Sequence, residues 1–110
     1  GANQAVATAR LGAEVSMVGR VGGDTFADPL LENLAADGID HTYVTRDPEA
    51  ATGVALIVVD DAGENSIVVA SGANARFSPG DVEDAEEAFA RADVLLLQLE
   101  SPLETVQRGC

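Results

Sequence analysis

Two polar positions, far apart in the chain, carry side chains better suited to binding a ligand than to folding. Glu100 closes the run Val94-Leu95-Leu96-Leu97-Gln98-Leu99, uninterrupted apolar sequence of the kind found in a central parallel strand buried on both faces. Ligands of open α/β sheets sit beyond the carboxyl ends of the strands, so a carboxylate there can accept hydrogen bonds from ligand hydroxyls. An exposed strand end ahead of the Ser101-Pro102 helix start accounts for Glu100 equally well. Gly1-Ala2-Asn3 precedes the first helix, where free backbone N–H groups and the Asn3 amide can hold hydroxyls or an anion. A plain N-cap Asn is the simpler alternative.

Other chemistry is excluded by spacing. Gly19, Gly22 and Gly23 do not make the dinucleotide-binding fingerprint, and no Walker phosphate loop is present. His41 has no second His or Cys at ligand spacing, which makes it a surface residue. Asp60 and Asp61 read as turn residues, not a catalytic pair. Cys110 is the only cysteine, so neither an intrachain disulfide nor a Cys-based metal site can form.

The elements that must position Asn3 and Glu100 alternate between helix and strand. Residues 3–11 have helical spacing and stop at Gly12. Residues 14–21 alternate as a strand, and Gly22-Gly23-Asp24 turns the chain. A second helix carries Phe26, Leu30, Leu31 and Leu34 on one stripe and closes at Gly38. Starting it at Asp24 would put Pro29 at the fifth helical position, so the favoured start is Asp28 as N-cap with Pro29 at N1. Residues 39–46 are extended and end at Asp47-Pro48. Two β-branched runs, Val54–Val59 and Ser66–Ala70, flank a polar stretch containing Gly63, which predicts a β-hairpin. Ser78-Pro79-Gly80-Asp81 starts a helix running to about Arg91, with Val82, Ala85 and Phe89 as its buried stripe. Its acids form a solvated face. The residues predict an α/β domain with an inserted hairpin.

Composition sets the outer bounds. The chain of 110 residues is 46% hydrophobic and 4% aromatic, without Trp, so its core must be aliphatic. Its net charge is −13, and all six basic residues are Arg. Such a surface repels phosphate backbones, which argues against nucleic-acid binding. A salt-rich cytosol that screens self-repulsion explains the acidity, and so does a coding bias that removes Lys. No run approaches the roughly 20 apolar residues of a membrane span. Residues 1–10 lack the features of a signal peptide, so a cytoplasmic location is expected.

At this point the motifs become specific. Gly1-x-Asn3-x-Ala5, then six residues to Gly12 and nine to Gly22, resembles the first signature of the PfkB carbohydrate kinases, less its opening glycines. Thr52-Gly53-Val54-Ala55-Leu56-Ile57, the Gly63-Glu64-Asn65 turn, Gly72-Ala73-Asn74 and Gln98-Leu99-Glu100 are similar to the ribokinase branch in particular. The resemblance covers the whole chain. It implies a partial ribokinase-like fold, Rossmann-like with a mostly parallel sheet: an α/β body of residues 1–41 and 75–110, and a hairpin lid of about 42–74.

The resemblance further implies transfer of the γ-phosphate of ATP to the 5-hydroxyl of ribose, with Mg2+ and a monovalent cation such as K+ as further cofactors. Gly1, Ala2, Asn3 and Glu100 would hold sugar hydroxyls, and Ile57 on the lid would face the ligand. Lids of two subunits pair in ribokinase-like dimers, so a homodimer through the hairpin is expected. The family's catalytic Asp, in a Gly-Ala-Gly-Asp motif, and its ATP-binding region have no match in these residues. No catalytic residue is therefore assigned here, and the 110 residues alone should not catalyse transfer. A kinase for another sugar or a nucleoside, and a non-catalytic sugar-binding or dimerisation module, are the competing expectations.

Overall fold

The computed structural model describes all residues 1–110. Helix α1 (Ala2–Arg10) leads into strand β1 (Ser16–Gly22), helix α2 (Ala27–Ala36) and strand β2 (Asp40–Asp47). β1 and β2 pair in parallel, with Gly19 opposite Val44 and Gly22 opposite Asp47. The helix α2 between them packs on β2, which makes this a β-α-β unit. Gly12 and Gly38 follow α1 and α2 with φ of 98° and 71°, as the sequence predicts.

Helix α2 starts earlier than expected, and Pro29 shows why that is allowed. Phe26 is its N-cap, so Pro29 falls at N3, among the positions whose N–H groups have no helical partner. Leu30, the very next residue, is the first to donate into the ladder, to Phe26. The tight turn from Asp24 is present: its Oδ1 accepts the Phe26 N–H at 3.2 Å. Of the expected apolar stripe, Leu34 is buried and Phe26 is exposed, its place in the core taken by Ala27.

The hairpin forms as predicted. Strands β3 (Val54–Val59) and β4 (Asn65–Ala70) pair antiparallel, with Ile57 opposite Ile67. Asp60 builds the turn, its Oδ1 accepting the N–H groups of Ala62 and Glu64, both at 2.9 Å. Every residue of both strands is exposed.

A short 3-10 helix (Gly72–Arg76) returns the chain to the body. Helix α3 (Pro79–Asp84) opens with the predicted capping arrangement: the Ser78 N–H and hydroxyl donate to Asp81 at 2.8 and 2.7 Å. The single helix expected to run to Arg91 is instead two, α3 and α4 (Glu86–Arg91), separated at Ala85. Ala85 itself is buried.

The largest departure is the run Val94–Leu99, which forms no strand. Val94 is 83% exposed and Leu99 78% exposed. A parallel strand is stable only within a ladder, and β1 pairs only with β2, so no strand lies beside this run to bond with it. An apolar pattern suits a strand without supplying its partner. Helix α5 (Leu103–Arg108) then packs on α3, with the Thr105 hydroxyl donating to the Phe77 carbonyl at 2.8 Å. The chain exposes 7453 Å², against about 5,700 Å² for a compact monomer of its mass. Most of the exposed large apolar side chains lie in the hairpin and in Val94–Leu99.

Candidate functional site

A single large cavity, about 1120 Å³, opens between the start of α1, the free edge of β1 and residues 92–101. Gly1, Ala2, Asn3 and Glu100 all lie on its wall, although Asn3 and Glu100 are 97 positions apart in the chain. Gln98 donates to the side-chain oxygen of Gln4 and so ties the Glu100 segment to α1. Met17, Gly53, Asn74 and Leu97 add a mixed polar and apolar lining. Such a lining suits a polyhydroxylated ligand, with carboxylate and amide for its hydroxyls and aliphatic surface for its carbon skeleton.

Asn3 is not a plain cap. Gly1 is the N-cap of α1, and Asn3 sits at N2 as an exposed residue, leaving its amide directed by neither capping role. Glu100 is exposed in a turn after the Val94–Leu99 run. Ile57 lies apart from both, 57% exposed in the hairpin and not on the cavity wall. His41 is half-buried on β2.

Two polar clusters that the sequence reading missed hold the cavity's surroundings in place. The first joins the strand ends. Arg20 of β1 bonds to Asp47 at 3.0 Å and to Asp81 at 3.0 and 3.1 Å, and Arg76 reaches Asp47 at 3.0 Å and Glu49 at 3.1 Å. Both Asp47 and Asp81 are buried, so their charges need these partners. Burial alone would raise the Asp81 carboxyl, but bonds from Ser78 and the Arg20 charge outweigh it and hold it below the usual range. An Arg inside the apolar run Met17-Val18-Gly19-Arg20-Val21 was the available signal.

The second cluster anchors the hairpin. Thr52 is buried at its base and donates its N–H to Asp24 Oδ2 at 2.7 Å and its hydroxyl to Asp24 Oδ1 at 2.6 Å. The same hydroxyl accepts the Gly22 N–H at 3.0 Å. A Cβ on Gly22 would overlap the Thr52 backbone, so this close approach requires glycine. Thr52 before all else, then its N–H, lowers the Asp24 carboxyl below the ordinary carboxylate value.

The site does not fit a triphosphate or its metal. No group of three or more His, Cys, Asp or Glu side chains is arranged to hold an ion, and Arg20, on the cavity wall, is committed to Asp47 and Asp81.

The chain matches the pfkB family carbohydrate kinase pattern over residues 1–108. It is 45% identical over 107 residues to a ribokinase of Haemophilus influenzae, covering 97% of this chain and 35% of the relative. It is 46% identical over 106 residues to a deoxyribokinase of Salmonella typhi, covering 96% of this chain and 35% of that protein. The structure of Arabidopsis thaliana ribokinase complexed with ribose and ATP superposes with a TM-score of 0.81 at 31% identity, over 99% of this chain and 37% of that one. The chain thus spans about a third of the length of the relatives it matches. With ordered motifs, a β-α-β body, a hairpin and this similarity all in agreement, the chain belongs to the pfkB family of carbohydrate kinases, in its ribokinase branch.

Proposed function

We propose that these residues form the sugar-binding and lid part of an ATP-dependent kinase that phosphorylates the 5-hydroxyl of D-ribose. The observation that carries this is that Gly1, Ala2, Asn3 and Glu100 line one cleft, with Gln98 bonded to Gln4 beside them. In this reading the Glu100 carboxylate and the Asn3 amide bond to sugar hydroxyls, and backbone N–H groups at the start of α1 add further donors. The charge-assisted bond that Glu100 accepts from a hydroxyl makes the site reject sugars that lack that hydroxyl. The hairpin closes over the bound sugar with Ile57 towards it, excluding water and holding the hydroxyl in line for transfer. ATP, Mg2+, a monovalent cation such as K+ and the catalytic base are supplied by parts of the intact kinase other than these residues. The reaction belongs in the cytoplasm.

The hairpin also supports a homodimer. Adjacent residues of a strand face opposite sides, so Ile57 shares one face with Ile67 and Val69, while Leu56, Val58 and Val68 form the other. Both faces are exposed and apolar, which leaves one for the sugar and one for a second subunit.

A second reading, 2-deoxyribose as substrate, is favoured by the deoxyribokinase similarity. A coupled assay of the intact protein with ribose, 2-deoxyribose, fructose and adenosine tests both. Ribose turnover with the highest kcat/KM supports the first reading, and a preference for 2-deoxyribose supports the second. No turnover of any of the four supports a non-catalytic sugar-binding module.

A further inference from the structure

The hairpin makes its contacts with the body only at its base. Residues 54–70 form no hydrogen bond to any other element, and the strands contact chiefly each other. The direction in which the ribbon leaves the body is therefore set where residues 50–53 and 71–74 cross. There, Ala73 donates its N–H to the Ala51 carbonyl at 2.7 Å, and Gly23 donates to Ala50 at 3.1 Å. A Cβ on Gly72 would overlap the Ala51 carbonyl oxygen, so the two stems are in direct backbone contact. Only one side chain of the body grips this crossing through hydrogen bonds to both backbone and hydroxyl. It is Asp24, through Thr52.

We propose that Asp24 is a positioning residue for the sugar site, acting through Thr52 to fix the angle at which the hairpin leaves the body beside the cavity. The geometry gives it three points of attachment. One carboxylate oxygen holds the Thr52 backbone, the other holds its hydroxyl and the Phe26 N–H, and the hydroxyl passes the restraint on to Gly22 at the end of β1. Thr52 and Gly53 line the cavity wall, so the clamp lies where the hairpin base meets the sugar site. Rotation of the crossing by a few degrees displaces the far end of a six-residue strand by ångströms, because the strand extends about 3.3 Å per residue. Loss of the clamp therefore weakens closure over the sugar without touching the reacting atoms.

The inference rests on the kinase reading for its kinetic consequence but not for its structural one, and two measurements on the intact protein separate them. Hydrogen exchange is measured for wild type, Asp24→Asn, Thr52→Ala and Thr52→Ser. Exchange at residues 52–54 and 71–74 rises at least tenfold in Thr52→Ala and Asp24→Asn, and at Gly22 in Thr52→Ala, with α1 and residues 16–21 unchanged, and returns close to wild type in Thr52→Ser. Steady-state kinetics then show kcat/KM for the sugar lowered about tenfold in Thr52→Ala, with the KM for ATP within twofold, and recovery in Thr52→Ser. Unchanged exchange at the hairpin base in both Asp24→Asn and Thr52→Ala overturns the proposal. So does kcat/KM for the sugar within twofold of wild type in Thr52→Ala. Should Asp24→Asn not fold, the Thr52 pair decides alone. A wild-type protein with no sugar turnover defeats the kinase reading, while the exchange result still decides whether the clamp exists.

Discussion

The Asp24 carboxylate receives both the backbone N–H and the hydroxyl of Thr52, at 2.7 and 2.6 Å, across 28 positions of sequence. The bond joins the turn after β1 to the base of the hairpin. It makes the Gly22-Gly23-Asp24 turn part of the hairpin's support as well as a connection between β1 and α2. It also makes the fold sensitive to the charge on one carboxylate.

Acid should expose that sensitivity. Asp24, Asp37, Asp40 and Asp81 all have carboxyls lowered by their native partners: Thr52, Arg10, Thr42 and, against the opposing effect of burial, Ser78 with Arg20. A carboxyl lowered in the folded state contributes stability that is fully present above its unfolded value of about 3.9. That contribution disappears as pH falls through the lower, folded value. Urea midpoints are expected to change little from these groups between about pH 5 and 7 and to drop below about pH 4. In Asp24→Asn the drop should be smaller, because one of the four groups is gone.

The Arg20 cluster should matter more than any surface pair. Arg20→Met leaves Asp81 buried without its cation, and Asp47 with only Arg76. Breaking a largely buried pair from one side costs roughly 2–4 kcal/mol, seen as a lower urea midpoint at unchanged slope. By contrast, Arg108→Met removes an exposed pair with Glu83 and should shift the midpoint by less than about 1 kcal/mol.

Capping gives a smaller and separable effect. Ser78→Ala removes the hydroxyl that donates to Asp81 at the start of α3 and should cost about 1 kcal/mol. Asp81→Ala should cost more, since the same carboxylate serves Ser78 and Arg20. Equal losses from the two variants would mean that the Arg20 contact contributes nothing.

The hairpin face opposite Ile57 should govern assembly. Leu56→Glu in the intact protein puts a charge among Val58 and Val68 and is expected to convert a dimer to a monomer in sedimentation velocity. High salt, which screens repulsion between subunits of net charge −13, should favour the wild-type dimer. A wild type that sediments as a monomer at every concentration contradicts the pairing of lids.

What the sequence disclosed and what it hid divide along a physical line. Local signals were legible: glycines after α1 and α2, Ser78-Pro79 at the start of α3, and the β-branched runs of the hairpin. Readings that depended on neighbours were not. Val94–Leu99 carries the pattern of a buried strand yet has no strand beside it to bond with. Pro29 misplaced the start of α2 because the first helical turn tolerates a missing donor, and apolar spacing alone would continue α3 through the break at Ala85. In the candidate site, Asn3 and Glu100 could each be singled out by position, but their meeting on one cavity wall needed the fold. Asp24 and Thr52 gave no such sign, since an Asp after two glycines reads only as a turn.

The central claim is that Asn3 and Glu100 bind the same sugar. Calorimetric titration of ribose into the intact protein, wild type against Glu100→Ala and Asn3→Ala, tests it most directly. Each variant should weaken ribose binding by about 10- to 100-fold, the value of a hydrogen bond to a charged or buried polar group, while remaining folded. Ribose binding unchanged in both variants would contradict the account.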